Sequence, residues 1–373
     1  MKKIIIVAPI SKSLINFRGD LIIDMKNKGY NVITASPALS EEYSNIFKQQ
    51  KIVNMTVNFI NNKLNPLYDF FTIIRLFKIF WEQSPDIILS YTIKPVIWGG
   101  LVAKFFKTDF YALITGTGFV FYGVSFKRKL LRNFVIFLYR FALKKSKAVI
   151  FQNIDDLNLF VSKSIVPKSK THLVDGSGVN IERFNYTVPP KGNINFLCVA
   201  RLKGDKGIRQ YAAAAKIIKK KFPNTIFNLI GPEEISPDAI SLDEVNSWSN
   251  YISYKGEVED VRPLIKDAHI YVLPSYHEGL PRSTLEAMSM GRPIITTNAS
   301  GCKETVKEGI NGFKVPVANI DKLVEKIIWF IEHSDQIEPM GIESRRMVEE
   351  KFDVRKVNAN MLDIMNLQRS KSN

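Results

Sequence analysis

Short β-branched apolar runs alternate, in the first half of the chain, with longer stretches whose apolar positions recur every three or four residues. The runs over 4–7, 32–35, 87–91, 110–115 and 148–152 are apolar at consecutive positions, which predicts strands buried on both faces. Between them, 17–28, 66–83, 95–106 and 127–145 predict helices. The pattern restarts near 195, with strands over 196–200, 227–230, 252–254, 270–273 and 294–297 and helices over 208–221, 283–290, 321–333 and 342–351. Such alternation predicts a mostly parallel sheet covered by helices on both faces, built twice. Pro189, Pro190 and Gly192 interrupt every period, so the join is expected there. The organisation that follows is an amino-terminal domain over 1–188, a carboxyl-terminal domain over 189–355, and a helix or tail over 356–373 that returns to the first domain. Ligands of open α/β sheets sit outside the carboxyl ends of the strands, so chemistry is expected on strand-to-helix loops facing a cleft between the two domains.

A chain of 373 residues is long for one core, and 46% hydrophobic with 24% charged residues excludes a largely disordered protein. Cys198 sits in an apolar run and Cys302 in a glycine-flanked loop, without metal-ligand spacing, which points to a reducing compartment and no disulfide framework. No segment reaches the roughly 18 apolar residues of a spanning helix, and the run after Met1-Lys2-Lys3 is too short for a secretory signal. A cytoplasmic protein is expected. The net charge of +16 favours anionic surfaces, whether nucleic acid, phospholipid or phosphorylated substrates. Lys127, Arg128, Lys129, Arg132, Arg140, Lys144, Lys145 and Lys147 cluster with aromatic and aliphatic residues between them. This composition suits the headgroup region of an anionic bilayer, or an ordinary core helix with solvated lysines at its ends.

Three segments carry candidate chemistry. Residues 273–288 (LPSYHEGLPRSTLEAM) read as a buried strand, a loop with Gly279 and Pro281, and a helix whose first turn carries Glu286. The first amides of a helix have no partner within it and can seat a diphosphate. Glu278 and Glu286 bracket that seat; carboxylates repel phosphate, so both suit sugar hydroxyls on either side. Glu286 also completes, with Ser283, a Ser-x-x-Glu capping box that needs no ligand, and Glu278 also reads as a solvated loop acid. Residues 199–207 (VARLKGDKG) form a second strand-to-helix passage, where Arg201 and Lys206 can converge on two phosphates and stabilise a leaving group, or simply make a basic loop. Residues 114–119 (ITGTGF) place Thr115, Gly116 and Gly118 after a strand of the first domain, as a close-approach site for a ligand or a plain tight turn.

Together these segments resemble the retaining, nucleotide-sugar-dependent glycosyltransferases of family four across nearly the whole chain. The family's Glu-x7-Glu motif is met by Glu278 and Glu286, and its basic pair by Arg201 and Lys206. Gly256-Glu257-Val258, Gly291-Arg292-Pro293, Gly301 with Glu304, residues 309–312, and residues 176–180 with Phe184 follow the family's course. The resemblance implies the α/β GT-B fold, two Rossmann-like doubly wound domains facing each other across a cleft. It also implies a nucleotide-sugar substrate, UDP-linked, and neither a cofactor nor a catalytic metal. Arg201 and Lys206 then hold the donor diphosphate, Gly279, Leu280, Pro281 and Ser283 complete its seat, Glu286 takes the ribose, Glu278 the donor sugar, and Glu257 and Val258 the base. The family commonly carries His where Thr115 stands, which leaves open which group meets the far side of the transferred sugar.

Within the family the first domain is similar to enzymes that extend polyprenyl-diphosphate-linked sugars in bacterial surface-polysaccharide or glycan assembly, notably the N-acetylgalactosaminyltransferases acting on diacetylbacillosaminyl-diphospho-undecaprenol. Residues 65–67 (NPL), 90–95 (SYTIKP) and 151–153 (FQN) carry that likeness. It implies transfer of a hexose or N-acetylhexosamine, N-acetylgalactosamine first, to a lipid-linked sugar at the inner face of the cytoplasmic membrane, with the Lys127 to Lys147 region on the lipid. Lys94 then meets the acceptor diphosphate, or is a solvent-exposed lysine at a helix start. A nucleotide-sugar epimerase of the same fold is the rival enzyme, separated by incubation with donor alone. A nucleic-acid-binding protein draws only on net charge, with no recognisable module, so nucleic acid is not an expected partner.

Overall fold

The computed structural model describes residues 1–60, 65–118, 121 and 126–367, and of Lys127 only the backbone. Phe119, the last residue of the 114–119 segment, lies outside the described residues. The chain forms two compact units, Met1–Ser177 with the chain from Lys356 onward, and Gly178–Arg355.

The first unit carries strands β1 (Lys3–Val7), β2 (Asn31–Ser36), β3 (Val53–Thr56), β4 (Ile87–Tyr91), β5 (Asp109–Ile114), β6 (Ala148–Phe151) and β7 (Thr171–Leu173). They interleave with helices α1 (Ser11–Asn27), α2 (Glu41–Gln49), α3 (Pro66–Gln83), α4 (Ile93–Ala103), α5 (Phe126–Leu143) and α6 (Ile154–Ser162). All pairings are parallel, in the order β3-β2-β1-β4-β5-β6-β7, so the strand order reverses between β1 and β4. In register, Ile5 lies between Ile33 and Ile88. Two apolar clusters cover the two faces, one holding Ile5, Ile88 and Phe151 and the other Ile4, Leu89 and Ile150, which is why these strands read as continuous apolar runs.

The second unit carries β8 (Asn195–Val199), β9 (Ile226–Ile230), β10 (Ser253–Tyr254), β11 (Ile270–Leu273), β12 (Ile294–Thr297) and β13 (Gly312–Val315), with α7 (Ile208–Lys221), α8 (Leu242–Asn246), α9 (Arg262–Lys266), α10 (Arg282–Ser289), α11 (Ile320–Glu332) and α12 (Ile337–Met347). Its parallel order is β10-β9-β8-β11-β12-β13, reversing between β8 and β11. Both sheets are therefore doubly wound, α/β and Rossmann-like. Phe196 and Phe227 stack at 4.9 Å in the second core, with Tyr211 edge-on to Phe227 at 5.7 Å.

The join precedes the double proline. Val179 exchanges backbone hydrogen bonds with Phe352 and Val354 (2.9 and 3.0 Å), Thr187 N donates to Met290 O at 3.2 Å, and Phe184 is buried in the second core. These contacts tie residues 178–188 to the second unit, so the expected boundary at 188 moves back to Ser177. Proline and glycine mark where regular structure stops, not which core the intervening chain packs on. At the other end, α12 passes through a π-turn (Val348–Phe352) into α13 (Val354–Ile364), whose Met361 and Leu362, with Met365 and Leu367 beyond it, sit among the buried residues of the first unit. The helix expected over 342–351 starts earlier, at Ile337, and its last residues run as the π-turn; Asp353 then separates that turn from α13.

Candidate active site

The carboxyl ends of β8 and β11, the point where the second sheet reverses, carry the charged residues singled out above. β8 runs through residues 200–203 into a 3-10 turn (Gly204–Lys206) and α7, while β11 runs through residues 274–281 into α10. The two loops are joined by hydrogen bonds: Tyr276 N and Ser275 Oγ both donate to Asp205 O, at 2.8 and 3.1 Å. The buried Tyr271 hydroxyl donates to Ser283 Oγ at 2.7 Å, and Ser283 Oγ donates to Val199 O at 3.2 Å. Gly207 makes this approach sterically feasible, because at its φ of +71° a Cβ would lie 1.9 Å from Pro274 O.

Lys206 Nζ meets Glu278 Oε1 at 2.6 Å, with only 15% and 16% of the two side chains exposed. Glu278 N donates to Ser300 O at 3.0 Å, and the next residue, Gly301, takes φ +77° against the Glu278 carbonyl. Arg201, more than half exposed, pairs instead with the largely buried Glu234 in the loop after β9. Glu286 pairs with Arg282 one turn earlier, at 3.1 Å. Burial pushes the Glu286 carboxyl above its ordinary range, opposed by the charges of Arg282 and Arg183 and reinforced by Asp260. Behind the site, burial and the Glu278 charge push the Cys302 thiol up to about 12.

The capping box does not form. Helix α10 begins at Arg282 with Pro281 at its N-cap, so Glu286 lies in the second turn and Ser283 spends its hydroxyl on Val199 and Tyr271. Gly279, Leu280 and Pro281 make up the loop leading into that helix start, Leu280 buried. Glu257 is exposed and Val258 half-buried after β10, where Gly256 at φ +71° accepts from Gly231 N at 2.9 Å. Arg201 and Lys206 thus follow β8, and Glu278 and Glu286 follow β11, on the two strand-to-helix passages at the carboxyl end of the second sheet; of the four, only Lys206 and Glu278 pair with each other. Among the described residues, no group of three or more His, Cys, Asp and Glu is placed to hold a metal ion.

In the first unit Thr115 follows β5 half-buried, with Gly116 and Gly118 at φ +132° and +67°. Between them Thr117 is fully buried and donates to Asp156 Oδ1 at 3.1 Å, while Asn153 caps α6 through Asp156 N at 2.8 Å. Lys94 is not a solvent-exposed lysine. It is buried at the start of α4, with Nζ 2.7 and 3.0 Å from the two carboxylate oxygens of buried Asp69, a geometry that neutralises its charge locally. A surface contact between Lys94 and a diphosphate therefore does not follow from its position; the α3 residue Asp69 is the partner that sequence reading missed. Glu234, Arg282 and Tyr271 were missed as well. Glu234 carries a visible signal, since it follows Gly231-Pro232 after a buried strand, but only the sheet order brings β9 beside β8.

Residues 13–153 match the family described as glycosyl transferase 4-like, and residues 193–333 match glycosyl transferases group 1. The chain belongs to the glycosyltransferases of the GT-B fold. This glycosyltransferase is 28% identical over 334 residues to the N,N'-diacetylbacillosaminyl-diphospho-undecaprenol alpha-1,3-N-acetylgalactosaminyltransferase of Campylobacter jejuni, covering 86% of this chain and 87% of that one. It is 26% identical over 275 residues to the UDP-Gal:alpha-D-GlcNAc-diphosphoundecaprenol alpha-1,3-galactosyltransferase of Escherichia coli, covering 70% of each. In fold it is similar to Anabaena HepE, solved with UDP-glucose, at a TM-score of 0.78, 17% identity and coverage of 98% of this chain and all of that one. These matches set aside the epimerase and nucleic-acid readings.

Proposed function

We propose that this glycosyltransferase moves a hexose or N-acetylhexosamine, N-acetylgalactosamine as the first choice, from a UDP-sugar to a polyprenyl-diphosphate-linked sugar in surface-polysaccharide or glycan assembly. Configuration at the anomeric carbon is retained, and neither a metal nor a cofactor takes part. The relatives from C. jejuni and E. coli, whose names specify diphospho-undecaprenol acceptors, support the acceptor class, and the second supports a UDP donor. The observation that carries the donor half is the part-buried Lys206–Glu278 pair at the reversal of the second sheet.

In this reading Lys206 and Arg201 hold the donor diphosphate together with the amides leading into α10, from Gly279 and Leu280 past Pro281 to Ser283. Glu278 accepts from donor-sugar hydroxyls, Glu286 from the ribose, and the backbone at Glu257 and Val258 meets the base. The bond from the anomeric carbon to the diphosphate breaks as the acceptor oxygen attacks on the same face. The acceptor proton passes to the departing phosphate oxygen, and UDP leaves with its added charge balanced by Arg201 and Lys206. Thr115, Gly116 and Gly118 line the acceptor side, and Lys94 serves it by fixing Asp69 and the start of α4. The outward basic and apolar face of α5 rests on the anionic inner face of the cytoplasmic membrane, where the acceptor lies.

Turnover of a panel of UDP-sugars with lipid-linked acceptors, read by mass, tests the reading. Lys206→Ala is expected to lower turnover on the order of 10²–10³-fold. Near-normal turnover in that variant, or a product of inverted configuration, overturns it.

A further inference from the structure

Helix α3 has two apolar faces. Thr72, Leu76, Ile79 and Phe80 are buried, while Leu67, Phe70, Phe71, Ile74, Phe77 and Trp81 are exposed along the opposite side. At the carboxyl end of α3 the exposed rings continue onto the neighbouring helices. Trp81 stacks on Phe77 at 6.5 Å, and Phe77 meets Phe105, just after α4, edge-on at 6.1 Å. The adjacent Lys104 lies 3.9 Å from the centroid of Phe141 on α5, which stacks on Phe137 at 6.3 Å. Trp81 and Phe105, at 71% and 77%, are the most exposed rings of this run. An exposed aromatic surface of this extent is rare on a protein that meets only water.

The charge around it selects the occupant. From Phe126 to Lys147 there are eight basic residues and no acidic one. On α3 the exposed acid Glu82 pairs with Lys78 at 3.7 Å. Two copies of such a face repel each other, whereas an anionic leaflet satisfies both the rings and the cations. We propose that α3, the Lys104-Phe105 corner and α5 form one continuous docking platform for an anionic phospholipid leaflet, with Trp81 and Phe105 entering the acyl boundary. The proposal rests on the membrane reading of α5 and adds a second helix and its aromatic bridge, so that the protein lies on lipid along two helices rather than one. The exposed stripe runs the length of α3, whose 18 residues span about 27 Å.

Sedimentation with vesicles of phosphatidylglycerol and phosphatidylethanolamine tests the platform, using the full chain. Phe77→Ser/Trp81→Ser/Phe105→Ser leaves α5 intact and is expected to lower the partition coefficient at least about tenfold. Trp81→Phe, which preserves the apolar surface, is expected to bind normally but to lose most of the quenching of tryptophan emission by brominated lipid. The melting temperature of each variant shows whether the unit remains folded, and the Trp81→Phe readout stands even if the triple variant does not fold. If the triple variant binds as wild type and Trp81 is not quenched, the platform is overturned while the membrane reading of α5 survives. If wild type itself ignores anionic vesicles, both fall. If wild type ignores vesicles but is a dimer that the triple variant dissociates, the face belongs to a second copy and the proposal is overturned.

Discussion

Arg201 and Lys206 both stand at the carboxyl end of the second sheet already paired to carboxylates, Glu234 and Glu278 respectively. These two largely buried carboxylates keep the cations oriented, but they also repel the phosphates that the cations are proposed to hold. Glu278 has a proposed use in the transferred sugar; Glu234 has none. Glu234→Gln keeps the shape of the side chain and removes its charge, so UDP affinity is expected to rise several-fold, on the order of 3–10, in a calorimetric titration. Weaker UDP binding in that variant would instead make Glu234 the residue that aims Arg201. The residues expected to matter were legible as residue types after strands, yet their pairings were not. Nothing in the local sequence around Lys94 points to Asp69, 25 positions away, because that contact depends on α3 packing beside α4.

The proposed donor site also depends on two loops closing to backbone contact. Asp205 O accepts from both Ser275 and Tyr276, and Gly207 lets Pro274 pass where no side chain fits. Gly207→Ala places a Cβ against the Pro274 carbonyl and forces an alanine into φ +71°, so it is expected to lower stability by about 2–4 kcal/mol in a urea titration. Donor use is expected to fall with it, since Lys206 and Glu278 stand on the two loops being pushed apart. Most elements were legible from periodicity because parallel strands buried on both faces must be apolar throughout. The short edge strands β3 and β7, each less buried than the central strands, were not, since a strand with one partner and an exposed face has no such requirement. Helix α5 shows the limit of the same argument. Its buried Val135, Ile136, Tyr139 and Leu143 read as a core face, and its exposed Leu130, Phe134, Phe137 and Phe141 read equally well as core.

At the scale of the whole chain, the last helix belongs to the first sheet. Asn358 Nδ2 donates to Asp24 Oδ2 at 2.7 Å, Tyr111 donates to Met365 O at 3.1 Å, and Met361, Leu362, Met365 and Leu367 are almost fully buried there. Ending the chain after Arg355 removes these four side chains while leaving the pairing of Val179 with Phe352 and Val354 in the second unit in place. Calorimetry of that truncation is expected to show the first unit melting below the second as a separate transition, because each of those side chains contributes a few kcal/mol of burial. A single unchanged transition would mean that the returning segment adds little. The sequence by itself determined that this protein is two α/β units of mostly parallel strands with charged loops after particular strands, because hydrophobic periodicity and strand-to-helix loops are local properties of the chain. Only the tertiary structure decided which charges pair, where the chain changes units, and that the exposed rings of α3 lead through Phe105 and Lys104 to Phe141 of α5. Those follow from strand order and helix packing, which bring together residues that no local pattern relates.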